Sequence, residues 1–233
     1  MVDGVTVTEM GVRADAERQI ITVDGRRLTP PAQPLYLALH KPAGYVTTRS
    51  DPHAMQTVMD LVRREYRPEW GPIEPALAAL HPVGRLDTMT EGLLLLTNDG
   101  DFTQRLTHPS HAVPKTYHAL VLGVPGTEDL RRLRAGVSLN GRRTARARVR
   151  LLRAAPKANR ATVEVVLREG RNRQVRRMLE ALGHPVIQLR RVQVGAVRLR
   201  GLRLGKLRRL SESEIAALLK PPRPRRGESS RRQ

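Results

Sequence analysis

Apolar positions in this chain fall mostly into short runs and strand-type alternations, and helical spacing is confined to a few segments. Leu93-Leu94-Leu95-Leu96 is uncharged, entered through Gly92 and closed by Asn98-Asp99-Gly100, which is the pattern of a short buried strand. Residues 115–122 alternate, setting Tyr117, Ala119 and Val121 on one face. Residues 145–152 alternate more cleanly: Arg146, Arg148 and Arg150 share one face, and Ala147, Val149 and Leu151 the other. That predicts a sheet with one solvated, positively charged side. Further strands are expected over 20–23, 35–40, 45–48, 162–167 and within 186–204, with Asp24-Gly25 and Asn140-Gly141 as hairpin turns.

Helical spacing is clearest at Val175, Met178, Leu179 and Leu182, where Asn172 is placed to cap the helix and Gly183 and Pro185 to end it. Arg176 lies beside that apolar stripe, so its guanidinium should emerge at the edge of the packed surface. Other helices are expected over 57–64 and 101–107, from Thr127 to a stop at Gly136, and after the capping box Ser211-Glu212-Ser213-Glu214. The stretch 65–80, with Pro68, Pro72 and Pro75, reads as an irregular excursion. Strands predominate without regular βαβ alternation, so the fold class is α+β with a largely antiparallel sheet. Residues 1–29 read as a small β-rich piece, Pro30, Pro31 and Pro34 as a linker, and the Pro/Arg/Ser-rich residues 221–233 as a disordered basic tail.

Charge adds a partner to this picture. The net charge is +20, unevenly spread: residues 1–100 hold 10 Lys and Arg against 13 Asp and Glu, and residues 101–233 hold 32 against 9. A field of one sign over one part of a protein is the footprint of a nucleic-acid partner. Arg outnumbers Lys by 37 to 5, and Arg suits phosphate through its planar fork. One Phe, one Trp and four Tyr are too few for a platform that stacks successive bases, which favours structured RNA held by its backbone. The absence of cysteine excludes disulfides, thiolate zinc sites and a Cys nucleophile. The scattered His give no metal site. No apolar run reaches the roughly 18–20 residues of a membrane span, and a secretory h-region is missing, so a cytoplasmic protein is expected.

Within the acidic part, Asp87 closes the segment Gly84-Arg85-Leu86-Asp87 at the lip of the buried Leu run. A carboxylate fixed beside a core strand, in a chain this basic, is a candidate nucleophile. The densest basic segment holds Arg168, Arg171, Arg173, Arg176 and Arg177. Glu91 stands four residues from Asp87, but a glycosidase pair needs carboxyl groups about 5–9.5 Å apart across a sugar. No second carboxylate can be placed in that way, and a backbone or Arg partner is expected for Glu91.

LHKPAGYVTT (39–48), HPVGRLDTMTEGLLLLTNDGDF (81–102), PKTYHALV (114–121) and REGRNRQVRRMLEALGHPV (168–186) together resemble the RsuA-type family of pseudouridine synthases. The resemblance spans 35–218 and implies the pseudouridine-synthase fold, with a cleft between two lobes. It implies an isomerase that converts a uridine of ribosomal RNA to pseudouridine, with no cofactor and no metal; a monomer is expected. By the same resemblance Asp87 is the nucleophile, Arg176 the cation paired with it, and Tyr117 the residue against the target base. Arg85 lies near the space left by the flipped base, and Lys115 and Leu167 support the pocket. Lys115 is also expected to contact RNA, with Arg85, Arg171, Arg173 and Arg177. Residues 2–29 resemble only the β-rich second half of the family's ribosomal-protein-S-four-like domain, whose helical half is absent from this sequence. The rival readings are a non-catalytic rRNA-binding or ribosome-assembly protein on the same fold, and the same isomerase acting on tRNA.

Overall fold

In a computed structural model, the described residues are all of 1–233 except 10, 11, 13, 16, 17, 28–32, 52–54 and 221–233. The expected tail at 221–233, and Pro30 and Pro31 of the expected linker, lie outside the described residues. Two compact units are present, Met1–Gln33 and Pro34–Gln233. In the first, Thr22–Val23 (β1) and Arg26–Arg27 (β2) pair antiparallel around Asp24-Gly25. Both turn residues have positive φ, 50° and 71°, as a two-residue hairpin of the primed type requires. The Asp3 carboxylate accepts the Ile20 amide at 2.8 Å, and Val2 bridges to Ile21.

The second unit runs β3 (Tyr36–Lys41), α1 (Val58–Glu65), α2 (Ile73–Ala79), β4 (His81–Pro82), β5 (Thr90–Thr97) and α3 (Gly100–Thr107). It continues with β6 (Lys115–Leu122), α4 (Thr127–Ala135), β7 (Ser138–Leu139), β8 (Arg142–Arg143), β9 (Arg148–Ala155) and β10 (Arg160–Leu167). The last elements are α5 (Gln174–Glu180), β11 (Val186–Val194), β12 (Val197–Arg198), β13 (Leu207–Arg209) and α6 (Glu212–Leu219). Among the described residues the main sheet is ordered β13-β3-β5-β11-β6-β10-β9, with β4 on β5 and β12 on β11. The β5–β11 pair is parallel and its neighbours are antiparallel, so the fold is α+β with a mixed, largely antiparallel sheet. No helix among the described residues is long and apolar enough to cross a membrane.

Burial follows the strand period. Leu94 and Leu96 of β5 join Leu37 and Leu39 under Leu61 and Val62 of α1 and Leu77 of α2. Leu93 and Leu95 point the other way, into a cluster with Phe102 of α3 and Leu218 of α6. A third cluster sets Ala119, Val163 and Val165 against Leu133 of α4 and Met178 and Leu179 of α5. Residues 1 and 2 of the Leu run thus face opposite layers, which is why the whole run is apolar.

Four expectations need correction. Residues 65–80 hold a 3₁₀ turn, Pro68–Trp70, and helix α2; Pro72 caps α2 and Pro75 lies in its first turn, where the missing N–H costs no helical bond. Residues 45–48 are not a returning strand, since only Val46 bridges, to Thr57. The Gly44 amide and the Thr47 hydroxyl instead bond the carbonyls of Thr88 and Leu86. β9 begins at Arg148 rather than 145, and the register breaks between Thr162 and Val163 of β10. Leu151 is therefore exposed on this edge strand, at 37%, and not buried with Val149. The α5 cap is Arg173, at φ 48°, and not Asn172: the Gln174 side chain accepts the Arg171 amide at 3.0 Å, which turns the chain one residue later.

Candidate active site

Two of the apolar clusters lie on the same side of the sheet, and Tyr117 packs against both. Between them lies a cavity of about 690 Å³. Asp87, Tyr117, Arg85, Lys115, Arg171, Arg173 and Leu167 all line it. Segments of the chain read separately in the sequence thus meet in one place.

The turn carrying Asp87 is pinned from below by the 41–47 segment. Lys41, fully buried, donates from Nζ to the carbonyls of Pro42, Thr88 and Thr90 at 2.9, 3.0 and 3.0 Å. Gly44, at φ +93°, donates its amide to the Thr88 carbonyl at 2.8 Å. The Thr47 hydroxyl donates to the Leu86 carbonyl at 2.7 Å and accepts the Leu86 amide at 3.3 Å. Asp87 closes its own turn through its carbonyl, which accepts the Thr90 amide at 2.9 Å. Its side chain is half-buried and holds no ion pair within 4.0 Å among the described residues.

Positive charge surrounds that carboxylate without touching it. Burial pushes the Lys41 ammonium down to about 8, with Asp87 pulling upward and Arg191 adding to the fall. Lys115 is also pushed down to about 8, by burial and then by Arg191. Arg191 is itself buried, on β11, opposite Tyr117 in register. Its Nε donates to the Leu93 carbonyl at 2.7 Å and one terminal nitrogen to the Arg85 carbonyl at 3.5 Å. Neither Lys41 nor Arg191 was singled out in the sequence, although Lys41 stands in the LHKPAGYVTT stretch.

Arg176 departs from its expected place. Its terminal nitrogens donate to the Met89 carbonyl at 2.9 Å and the Val186 carbonyl at 3.2 Å, and its Nε is buried without a partner. It does not form an ion pair with Asp87 within 4.0 Å. The Met89 carbonyl, in the same turn as Asp87, takes the donor instead. Burial and Arg173 lower the Arg176 pKa, and the Asp87 charge opposes them, so the two groups are coupled through space. Arg171 is engaged by the Arg142 and Arg143 carbonyls at 3.2 and 2.8 Å and by Glu169 at 3.5 Å. Arg177 lies outside the cavity and donates to Asn140 Oδ1 at 2.6 Å. Glu91 is held by Arg190 at 2.6 Å and His40 at 3.0 Å, the Arg partner expected for it.

Among the described residues no group of three His, Cys, Asp or Glu side chains could hold a metal. What the cavity offers is one carboxylate on a rigid turn, a tyrosine ring and several cations. This suits covalent attack on a substrate that carries phosphates.

A sequence profile described as RNA pseudouridylate synthase matches residues 35–181. The ribosomal large subunit pseudouridine synthase B of Bacillus subtilis is 40% identical over 93% of this chain and 84% of its own length. An uncharacterized RNA pseudouridine synthase of Mycobacterium bovis is 43% identical over 93% of this chain and 82% of its own. A crystal structure of a pseudouridylate synthase superposes with a TM-score of 0.70 at 31% identity, covering 94% of this chain and 88% of that one. Fold, cavity and these relatives agree: the chain belongs to the RNA pseudouridylate synthase family, as an RsuA-type member.

Proposed function

We propose that this pseudouridine synthase acts on a single uridine of large-subunit ribosomal RNA, with Asp87 as its nucleophile. The observation that carries the reading is the placement of Asp87: a half-buried carboxylate with no ion pair among the described residues, on a pinned turn, facing a cavity lined by cations. The family relative from Bacillus subtilis supports the choice of RNA.

The isomerisation breaks the C1′–N1 bond, joins C1′ to C5, and moves one proton from C5 to N1. No electrons are exchanged with an outside partner, so the chemistry calls for no redox group. Asp87 engages the nucleotide covalently while the base turns, and Tyr117 lies against the flipped ring. Arg85, Lys115 and Arg173 meet the RNA at the cavity wall. Arg176 is a positioning residue that holds the Asp87 turn through Met89, Arg171 braces the cavity wall through the Arg142 and Arg143 carbonyls, and Arg177 stands outside the cavity, bonded to Asn140. Residues 35–218 form the catalytic domain, and residues 1–29 serve as a docking piece that resembles the β-rich half of an S-four-like domain.

The test is nucleotide-resolution pseudouridine mapping of RNA from a deletion strain complemented with wild type or Asp87→Asn. The expected result is one large-subunit site lost and restored by wild type alone, with Asp87→Asn binding the RNA within about threefold of wild type, since an exposed-cation interface survives this change. A map altered only in tRNA would move the substrate, and a map unaltered in both would leave a binding protein.

A further inference from the structure

The opposite side of the same sheet carries a second and larger concavity, of about 960 Å³. Successive residues of the central strands alternate between the two. Lys115 and Tyr117 of β6 and Leu189 and Arg191 of β11 line the active cavity. Thr116, His118, Arg190 and Val192 line the one behind, as the strand period of two dictates. Arginine dominates this rear surface. Arg146, Arg148 and Arg150 rise from the β9 side, Arg190 from β11, and Arg198 and Arg200 from the opposite wall, all exposed.

Part of that charge is internally balanced. A row in register crosses neighbouring strands: Arg150 beside Glu164, Glu164 beside His118, His118 beside Arg190, and Arg190 beside Glu91. Arg150 holds Glu164 at 2.9 Å and Arg190 holds Glu91 at 2.6 Å. Arg146, Arg148, Arg198 and Arg200 have no carboxylate within 4.0 Å among the described residues, and the sheet between them and Asp87 removes them from the chemistry. Arg168 lines both concavities, so a basic path connects them.

We propose that this rear concavity is a second RNA-docking surface, which holds the sugar-phosphate backbone of a segment flanking the target uridine. The inference rests on RNA being the substrate. Unpaired, exposed guanidinium groups on a concave sheet face are complementary to phosphate. No Phe, Tyr or Trp lines the surface, so it grips backbone without stacking bases and contributes affinity without choosing a sequence.

The test is the triple variant Arg148→Ala/Arg198→Ala/Arg200→Ala, assayed on transcribed large-subunit rRNA and on a short stem-loop carrying the mapped uridine. On the long RNA, KM is expected to rise about tenfold or more with kcat unchanged. The slope of log K against log salt should shrink by about 2 to 3, from roughly 0.7–0.9 per lost phosphate contact. On the stem-loop both constants stay at wild-type values, which also shows the fold and the catalytic site to be intact. An unchanged affinity and slope on the long RNA overturn the proposal. So does an equal loss on both RNAs, which would tie these residues to the catalytic cavity or to folding. Unchanged RNA binding together with lost binding to poly-glutamate also overturns it and hands the surface to an acidic protein. Failure of the wild-type enzyme to modify either RNA would sink the substrate reading instead, and the affinity and slope comparison on the long RNA would still decide the docking surface.

Discussion

Lys41 shows how much of the active site is architecture. A lysine with no exposed surface is costly to keep charged, and its ammonium is kept by three carbonyls, two of them in the turn that carries Asp87. Its folded pKa, about 8, lies below the ordinary lysine value near 10.4, and Lys115 behaves likewise. Between about pH 8 and 10 the unfolded chain therefore binds protons that the folded one does not, so stability rises with pH across that window. Below about pH 8 both states are protonated and the penalty is constant. Thermal melts from pH 7 to 10 should show this rise, and Lys41→Met should reduce it to the share that Lys115 contributes. The same variant strands the Thr88 and Thr90 carbonyls at about 1–3 kcal/mol each, lowering stability at neutral pH. That Asp87, Tyr117, Arg85 and Lys115 belong together was legible, because each stands in a dense local motif, and they line one cavity. Lys41, although it stands in the 39–48 motif, and Arg191 did not stand out: their contacts join residues 41 to 90 and 191 to 93, and local sequence does not mark a cation that distant chain will bury.

At the scale of elements, the tightest junction is where β5 meets β11. Gly92 sits at φ +119°, and a Cβ there would lie 2.3 Å from the Arg191 carbonyl oxygen, so the parallel pairing exists because this position has no side chain. Gly92→Ala combines a strained φ with an overpacked backbone and should cost about 3 kcal/mol or more. Chemical denaturation measures it, with Gly100→Ala, which meets nothing within 4 Å, as a control that changes stability by less than about 1 kcal/mol. A wild-type midpoint for Gly92→Ala would mean that the strands have room to part. Element types were readable where local chemistry decides them: the β6 strand, the Asn140-Gly141 hairpin and the capping box of α6 stand as expected. Two of the misses come from tertiary context. The 45–48 segment reads as a strand alone but finds its partners in the Asp87 turn, and the late start and register break of β9 arise only against β10.

At the scale of the molecule, a mildly acidic first part, residues 1–100, supplies Asp87, and a strongly basic second part supplies most of the arginines. Among the described residues, the two sides of the main sheet are joined by one strand. β11 lies between β5 and β6, and nothing else in the sheet order connects the β3–β5 side to the β6–β10–β9 side. A chain leaving the ribosome can pair β3 with β5, and β6 with β10 and β9, from residues that are near in sequence, but it must wait for residues 186–194 before either half meets the other. Such long-range, parallel closure is slow relative to local pairing. In refolding followed by hydrogen exchange, the β6 amides bonded to β10 should become protected before those bonded to β11, and simultaneous protection would refute this order. Asp87, Tyr117 and Arg191 come from the two sides and the strand between them, so the cavity that gathers all three exists only once β11 has paired, and a nascent chain lacks it while its basic half is still being made.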